Sequence, residues 1–240
     1  MLANTATLTA AEEAGLVHAV LYRDEPENTA AITALLRAGK DPRRIIDALQ
    51  IAAAQLTIDT HGANNFSMPM HCYEYSNALG WFYDNFDHPR RLRLLYVAAS
   101  FANRVAESQV GLNDSTPFAV KAPAGASAMT AGQILDRVES AILNVNIQDS
   151  ADWTQAYIEN VTDKAPLVQR IALTACRMGN DPHNQEIAQC MLMDWGTNQQ
   201  PNRDILLLAA AWHTAGHRKY GDVQEPSRRF GQAFGHSELV

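Results

Sequence analysis

The chain has 240 residues, long enough for one large domain or two small ones with a substantial buried core. Its apolar fraction of 47% and charged fraction of 19% are those of a globular protein and argue against disorder. A net charge of −7 argues against a nucleic-acid partner, and no window approaches the roughly 20 apolar residues of a spanning helix, which argues against a membrane one. The segment from Met1 to Thr9 lacks the basic and apolar regions of a secretory leader, so the expected location is cytoplasmic.

Three cysteines, Cys72, Cys176 and Cys190, form no CxxC pair and lie in apolar, helix-like stretches. Free buried thiols are expected there rather than a disulfide framework or a zinc ribbon. The basic clusters Arg90-Arg91-Arg93 and Arg228-Arg229 are short and read as solvated faces.

In chain order the pattern is helical throughout, because alanine-rich segments carry apolar residues at three- and four-residue spacing and alternating β-branched runs do not occur. Thr9 to Glu12 reads as a capping box opening a helix to about Tyr22. Pro26 and Gly39 bracket a second, and Asp41-Pro42 starts a third, to about Ile58. A polar loop over 59–69 precedes a helix from Met70 to Asn85; the next is capped by Asp87-His88-Pro89 and runs to Gln109. After a Gly/Pro/Ser/Ala-rich stretch, Thr130 caps a helix to Asn144 and Ser150 one to Asn160. Further helices span Asp163 to Met178, Pro182 to Trp195 and Asn202 to Tyr220. The fold class is therefore all-α, with about ten helices. The expected organisation is a first unit over 1–110, a linker over 111–128, a second unit over 129–220 and a C-terminal tail over 221–240, all in one compact domain.

The halves share an order of caps and lengths that reads as two diverged repeats. A shift of 112 sets His71 on His183, Glu74 on Glu186, Arg91 on Arg203, and Leu94-Leu95 on Leu206-Leu207. Upstream, a shift of 121 sets Thr9-Ala10 on Thr130-Ala131 and His18 on Glu139.

His71-Cys-Tyr-Glu74 and His183-Asn-Gln-Glu186 are both HxxE on helices, a spacing that puts imidazole and carboxylate on one face. An imidazole and a carboxylate so placed can hold a divalent metal, as the mirrored ExxH does in di-iron helical bundles. If the halves pack about a pseudo-two-fold axis, His18, His71, Glu139, His183 and Glu186 become candidate ligands for Fe first, or Cu, Mn or Zn. His213 adds a sixth, from an HxxxH pair with His217. His61, in the 59–69 loop beside Asp59, and Glu74 are the candidate proton-transfer groups. Tyr73, Tyr75, Trp81, Phe82 and Tyr83 are available to wall an apolar pocket or to fill the core. No GxGxxG, P-loop, GxSxG or iron–sulfur signature occurs.

The stretches HCYEYSNAL and RRLRLLYVAAS, with their counterpart around His183, resemble helical regions found with Rieske-type domains and questin-oxidase-like proteins. The Rieske ligands themselves are missing. The resemblance implies an oxidative enzyme of secondary metabolism, with His71 and His183 as its carried-over residues. The leading expectation is thus a metal-dependent oxidase or oxygenase acting on a small organic substrate, its metal held between the repeats. Metal-assisted hydrolysis or isomerisation is the alternative, and a non-enzymatic helical-repeat interaction protein is the third. Alanine-rich faces allow a homodimer.

Overall fold

The computed structural model describes residues 1–59, 68–108, 119–178, 182–216 and 224–236. Every regular element among them is helical. The first five are α1 (Ala10–Tyr22), α2 (Glu25–Arg37), α3 (Pro42–Asp59), α4 (Met68–Asn85) and α5 (Arg93–Ser108). They are followed by α6 (Ala131–Leu143), α7 (Ile147–Asn160), α8 (Ala165–Met178), α9 (Pro182–Thr197), α10 (Ile205–Gly216) and α11 (Gln224–Phe234). No helix is long and apolar enough to cross a membrane among these residues. One isolated bridge, Ala6 with Lys40, is the sole β pairing described.

The ends of these helices follow from local chemistry. At α1 the Thr9 hydroxyl accepts from Glu12 N while the Glu12 carboxylate accepts from Thr9 N. The same reciprocal box opens α6, between Thr130 and Gln133. Gly39 takes the left-handed conformation (φ +83°) that ends α2, so a side chain there would be strained.

Three boundaries differ from the sequence expectation. Asn146, rather than Ser150, caps α7: its Oδ1 accepts from Asp149 N at 3.1 Å, while Ser150 is buried and donates to Ile147 O. The expected start of α5 at Pro89 is instead a tight turn over 88–92, closed by three-residue backbone bonds such as Arg91 N to His88 O. The α5 helix proper begins at Arg93. The segment read as a polar tail contains α11, with Pro226 in its first turn. Among the cysteines, Cys72 is buried and its thiol is pushed up to about 12 by burial, but Cys176 is exposed.

The chain forms two compact units. The first comprises Met1–Ala119 and Cys190–Ala209. Its centre is α3, which packs against α1, α4 and α5 and is buried on nearly every face. A helix enclosed this way cannot be amphipathic, and alanines at 48, 52, 53 and 54 let its neighbours approach closely. The buried carboxylate that α3 carries is matched. Asp47 meets Arg43 and Arg44, and accepts from Gln199 N at 3.0 Å. Asn198 Nδ2 donates to Asp47 O at 3.0 Å, and Gln200 Nε2 donates to Arg44 O at 2.8 Å. These bonds explain why Cys190–Ala209 belongs with the first unit, since breaking them would strand buried donors and a buried carboxylate.

The second unit comprises Val120–Gln189 and Ala210–Val240. Its core draws on Ile134, Val138 and Ile142 of α6, Ala151 and Tyr157 of α7, Leu167 and Ile171 of α8, and Trp212. Arg170 of α8 reaches Asp136 and Glu139 of α6 at 2.9 and 2.8 Å, tying those helices together at their exposed edge.

Candidate functional site

Helix directions bring chemical groups together at one end of the first unit. Arg43 Nε donates to Asp84 Oδ2 at 2.9 Å, joining the start of α3 to the end of α4. The two are therefore antiparallel, and the start of α4, with His71 and Glu74, runs beside the later half of α3. Tyr22 Oη donates to Asp59 Oδ2 at 3.3 Å, so α1 and α3 finish at the same end. Asn103 of α5 donates to Val20 O and Arg23 O at 2.9 and 2.6 Å, satisfying carbonyls that the end of α1 would otherwise leave bare. Glu25, the first residue of α2, accepts from Ser100 of α5 at 2.5 Å.

The working geometry within this end lies on α4. His71 Nδ1 stands 2.8 Å from Glu74 Oε2, with the side chains 42% and 22% exposed. An ionised carboxylate can only accept, so Nδ1 is the donor in this contact, and in a neutral ring Nε2 would bear the lone pair. Tyr75 lies four residues from His71, on the same face and one turn further along. It lines a cleft of about 550 Å³ between α2, α4 and α5, shared with Tyr96, Phe101, Glu25, Ser100 and Arg104. Tyr75 and Phe101 meet edge to face at 5.1 Å. The Ser100 hydroxyl, and after it Arg104, hold the Glu25 carboxyl below its usual range.

On α1, the His18 ring lies 5.3 Å from that of Tyr22. The phenol of Tyr22 is pushed up to about 12 by burial and by the neighbouring Asp59 carboxylate. Gln55 Nε2 donates to the other Asp59 oxygen at 2.7 Å. His18 and Asp59 thus belong to the same end of the unit as His71 and Glu74.

The remaining candidates are placed differently. Glu139, set beside His18 by the 121-residue shift, meets Arg170 at 2.8 Å and Arg177 at 3.6 Å in the second unit. Glu186 is exposed on α9, and His213 is fully buried on α10. His183 belongs to α9 by its backbone, but its side chain lies outside the described residues, as do His61 and His217 entirely. Among the described residues no three His, Cys, Asp or Glu side chains group so as to hold a metal ion. Of the aromatics around the first HxxE, Tyr73 and Tyr83 are core, Trp81 and Phe82 are exposed, and Tyr75 alone lines the cleft.

Sequence reasoning missed two groups. The Glu25–Ser100–Arg104 edge of the cleft joins α2 to α5 and leaves no local spacing to find. Asp47 did leave a signal: a carboxylate in the run IIDALQIAAA, three and four residues after two arginines, must be paired if the helix is buried. No family model, curated protein or solved structure matches the chain.

Proposed function

We propose that the chain is an enzyme acting on a small organic molecule at this end of the first unit, with His71 as its working imidazole. Glu74 orients the ring. The observation that carries the reading is the 2.8 Å contact from His71 Nδ1 to Glu74, one helical turn from the cleft residue Tyr75. A carboxylate on Nδ1 fixes ring orientation and raises the basicity of Nε2, as useful to a general base as to a metal ligand.

Proton transfer, hence hydrolysis or isomerisation, is the chemistry these residues support most directly. It needs only the oriented imidazole and a bound substrate. A metal-dependent oxidase or oxygenase is the second reading, favoured by the histidines and carboxylates of this end (His18, His71, Asp59, Glu74) and by the resemblance to questin-oxidase-like proteins. It requires donors beyond the His71–Glu74 pair, and His61, two residues after Asp59, is the candidate within the same segment.

The proposed duplication is supported by features that recur at the same shifts. Thr9 and Thr130 head capping boxes of two thirteen-residue helices. Arg91 lies 4.7 Å over the Tyr83 ring, and Arg203, 112 residues on, lies 4.9 Å over Trp195.

The test is made on untagged, full-length protein. Nitrogen-15 NMR of the histidine rings is expected to show the Nδ1–H tautomer preferred in the neutral His71 ring and to lose that preference in Glu74→Ala. A small-molecule panel read by mass spectrometry is expected to yield a product that His71→Ala no longer forms. Equal turnover by His71→Ala would overturn the proposal. Elemental analysis separates the chemistries: about one equivalent of Fe, Cu, Mn or Zn, lost in His71→Ala, selects the metal reading.

A further inference from the structure

The hydrogen-bond inventory of the cleft specifies the ligand it can take. Its walls are mostly apolar: Tyr75 and Phe101 pack edge to face, and Tyr96 and Val97 stand on the same helix as Phe101. About 550 Å³ suits a molecule of one to three rings.

The hydroxyl protons of Thr29, Ser100 and Tyr96 are already spent. Thr29 donates to Pro26 O at 3.1 Å, and Ser100 donates to Glu25 Oε1. Thr33 donates to Thr29 O at 2.8 Å, so in its 3.0 Å contact with Tyr96 it is the acceptor and the Tyr96 phenol is the donor. The carboxylate is engaged too, by Ser100 on Oε1 and by Arg104 Nη2 on Oε2 at 3.5 Å.

What remains is the Tyr75 phenol and the charged donor capacity of Arg104. A guanidinium presents five N–H groups, and this one makes a single long contact while 69% of the side chain is exposed. Glu25, anchored by Ser100, positions that guanidinium at the edge of an aromatic slot. A cationic ligand would be repelled by Arg104 and would have to compete with Ser100 and Arg104 for Glu25. A neutral ligand would leave the guanidinium unused.

We propose that the cleft binds a planar aromatic carboxylate, its ring held by Tyr75, Phe101 and Tyr96 and its carboxylate paired with Arg104. Arg–carboxylate pairs are favoured because two parallel N–H groups match two oxygens. That this ligand is the substrate rests on the enzymatic reading above; that it binds does not.

Binding of three isosteric probes to the full chain tests the proposal: 2-naphthoate, 2-naphthamide and 2-(aminomethyl)naphthalene, followed by calorimetry and by the ring signals of Tyr75 and Tyr96. The carboxylate is expected to bind about tenfold or more tightly than either other probe. Arg104→Gln is expected to remove that advantage, and Arg104→Lys to keep part of it. Val97→Trp, which fills the cleft without changing charge, is expected to weaken all three probes. Equal binding of the amide or the amine, or an Arg104→Gln variant that holds 2-naphthoate as wild type does, would overturn the assignment.

The two proposals fail separately. Binding of 2-naphthoate through Arg104 in a protein with no His71-dependent turnover removes the enzymatic reading and keeps the ligand class. His71-dependent turnover of a substrate indifferent to Arg104 does the reverse.

Discussion

Tyr73 donates its phenolic proton to Asp194 Oδ2 at 2.8 Å, joining the core face of α4 to the later half of α9 across 121 residues of sequence. Asn77, one turn along, donates to the other oxygen at 3.0 Å. Both Tyr73 and Asp194 are buried, so the carboxylate depends on these donors for the solvation it has given up.

Tyr73→Phe should therefore destabilise the first unit by about 1–3 kcal/mol, the usual cost of leaving a buried acceptor short of a donor. Urea denaturation, read by the tryptophans, measures it. Arg23→Ala is the control, because Arg23 and Glu27 form a 3.9 Å pair that is more than half exposed, and such pairs contribute little. A Tyr73→Phe variant no less stable than the control would show that the bond is not holding α9.

Asp47 gives the network a pH dependence with a definite sign. Burial pushes its carboxyl up to about 6, against the pull of Arg43, the Gln199 amide and Arg44. In the unfolded chain the group titrates near its ordinary value of 3.8. Between those values the native state keeps a proton that the unfolded state releases, so this contribution to stability falls as pH rises. It is complete below about pH 4 and lost above about pH 6, and a rise of this size corresponds to up to about 3 kcal/mol. Glu12 and Glu25, held below their usual range, act in the opposite direction. Comparison with Asp47→Asn isolates this contribution. The variant lacks the titrating carboxyl, and its stability relative to wild type should improve from pH 4 to pH 7. A difference independent of pH would refute the assignment.

What could be read from the sequence was local. Thr9, Thr130, Asp41-Pro42 and Gly39 act on groups within four residues, so residue identity alone predicts helix ends there. The His71–Glu74 contact was legible for the same reason, because three-residue spacing fixes both side chains on one face. By contrast, Asp47 to Asn198 spans 151 positions, and the cleft joins α2, α4 and α5 through Glu25, Ser100 and Tyr75. Nothing in the spacing of those residues encodes their meeting. Glu139, set on His18 by the 121-residue shift, is paired with Arg170 and Arg177 of its own unit, a meeting of α6 with α8 that the alignment of the halves does not encode.

The two capping boxes offer a test of equal local roles. Thr9→Ala and Thr130→Ala should each cost about 0.5–2 kcal/mol in their own helix. Amide exchange resolves the effects, with faster exchange expected in the first turn of α1 in one variant and of α6 in the other. Slowed or unchanged exchange at the mutated helix would mean that packing, rather than the cap, sets that end.

Val145 is the described non-glycine residue with a positive φ, 57°. It closes α6 in the pattern that glycine usually fills: Asn146 N bonds Ala141 O at 2.9 Å and Val145 N bonds Ile142 O at 3.1 Å. A β-branched side chain in this region crowds its own backbone, at a cost of roughly 1–2 kcal/mol. Its side chain is 42% exposed, so little packing offsets that strain. Val145→Asn should raise the stability of the second unit by about 1 kcal/mol, because asparagine tolerates the left-handed region. Val145→Gly removes the same strain but adds freedom to the unfolded chain, so its gain should be smaller. Thermal unfolding of both variants, with the α6–α7 amides followed by exchange, measures the order. A loss of stability in both would mean that the apolar contact of Val145 outweighs its backbone strain.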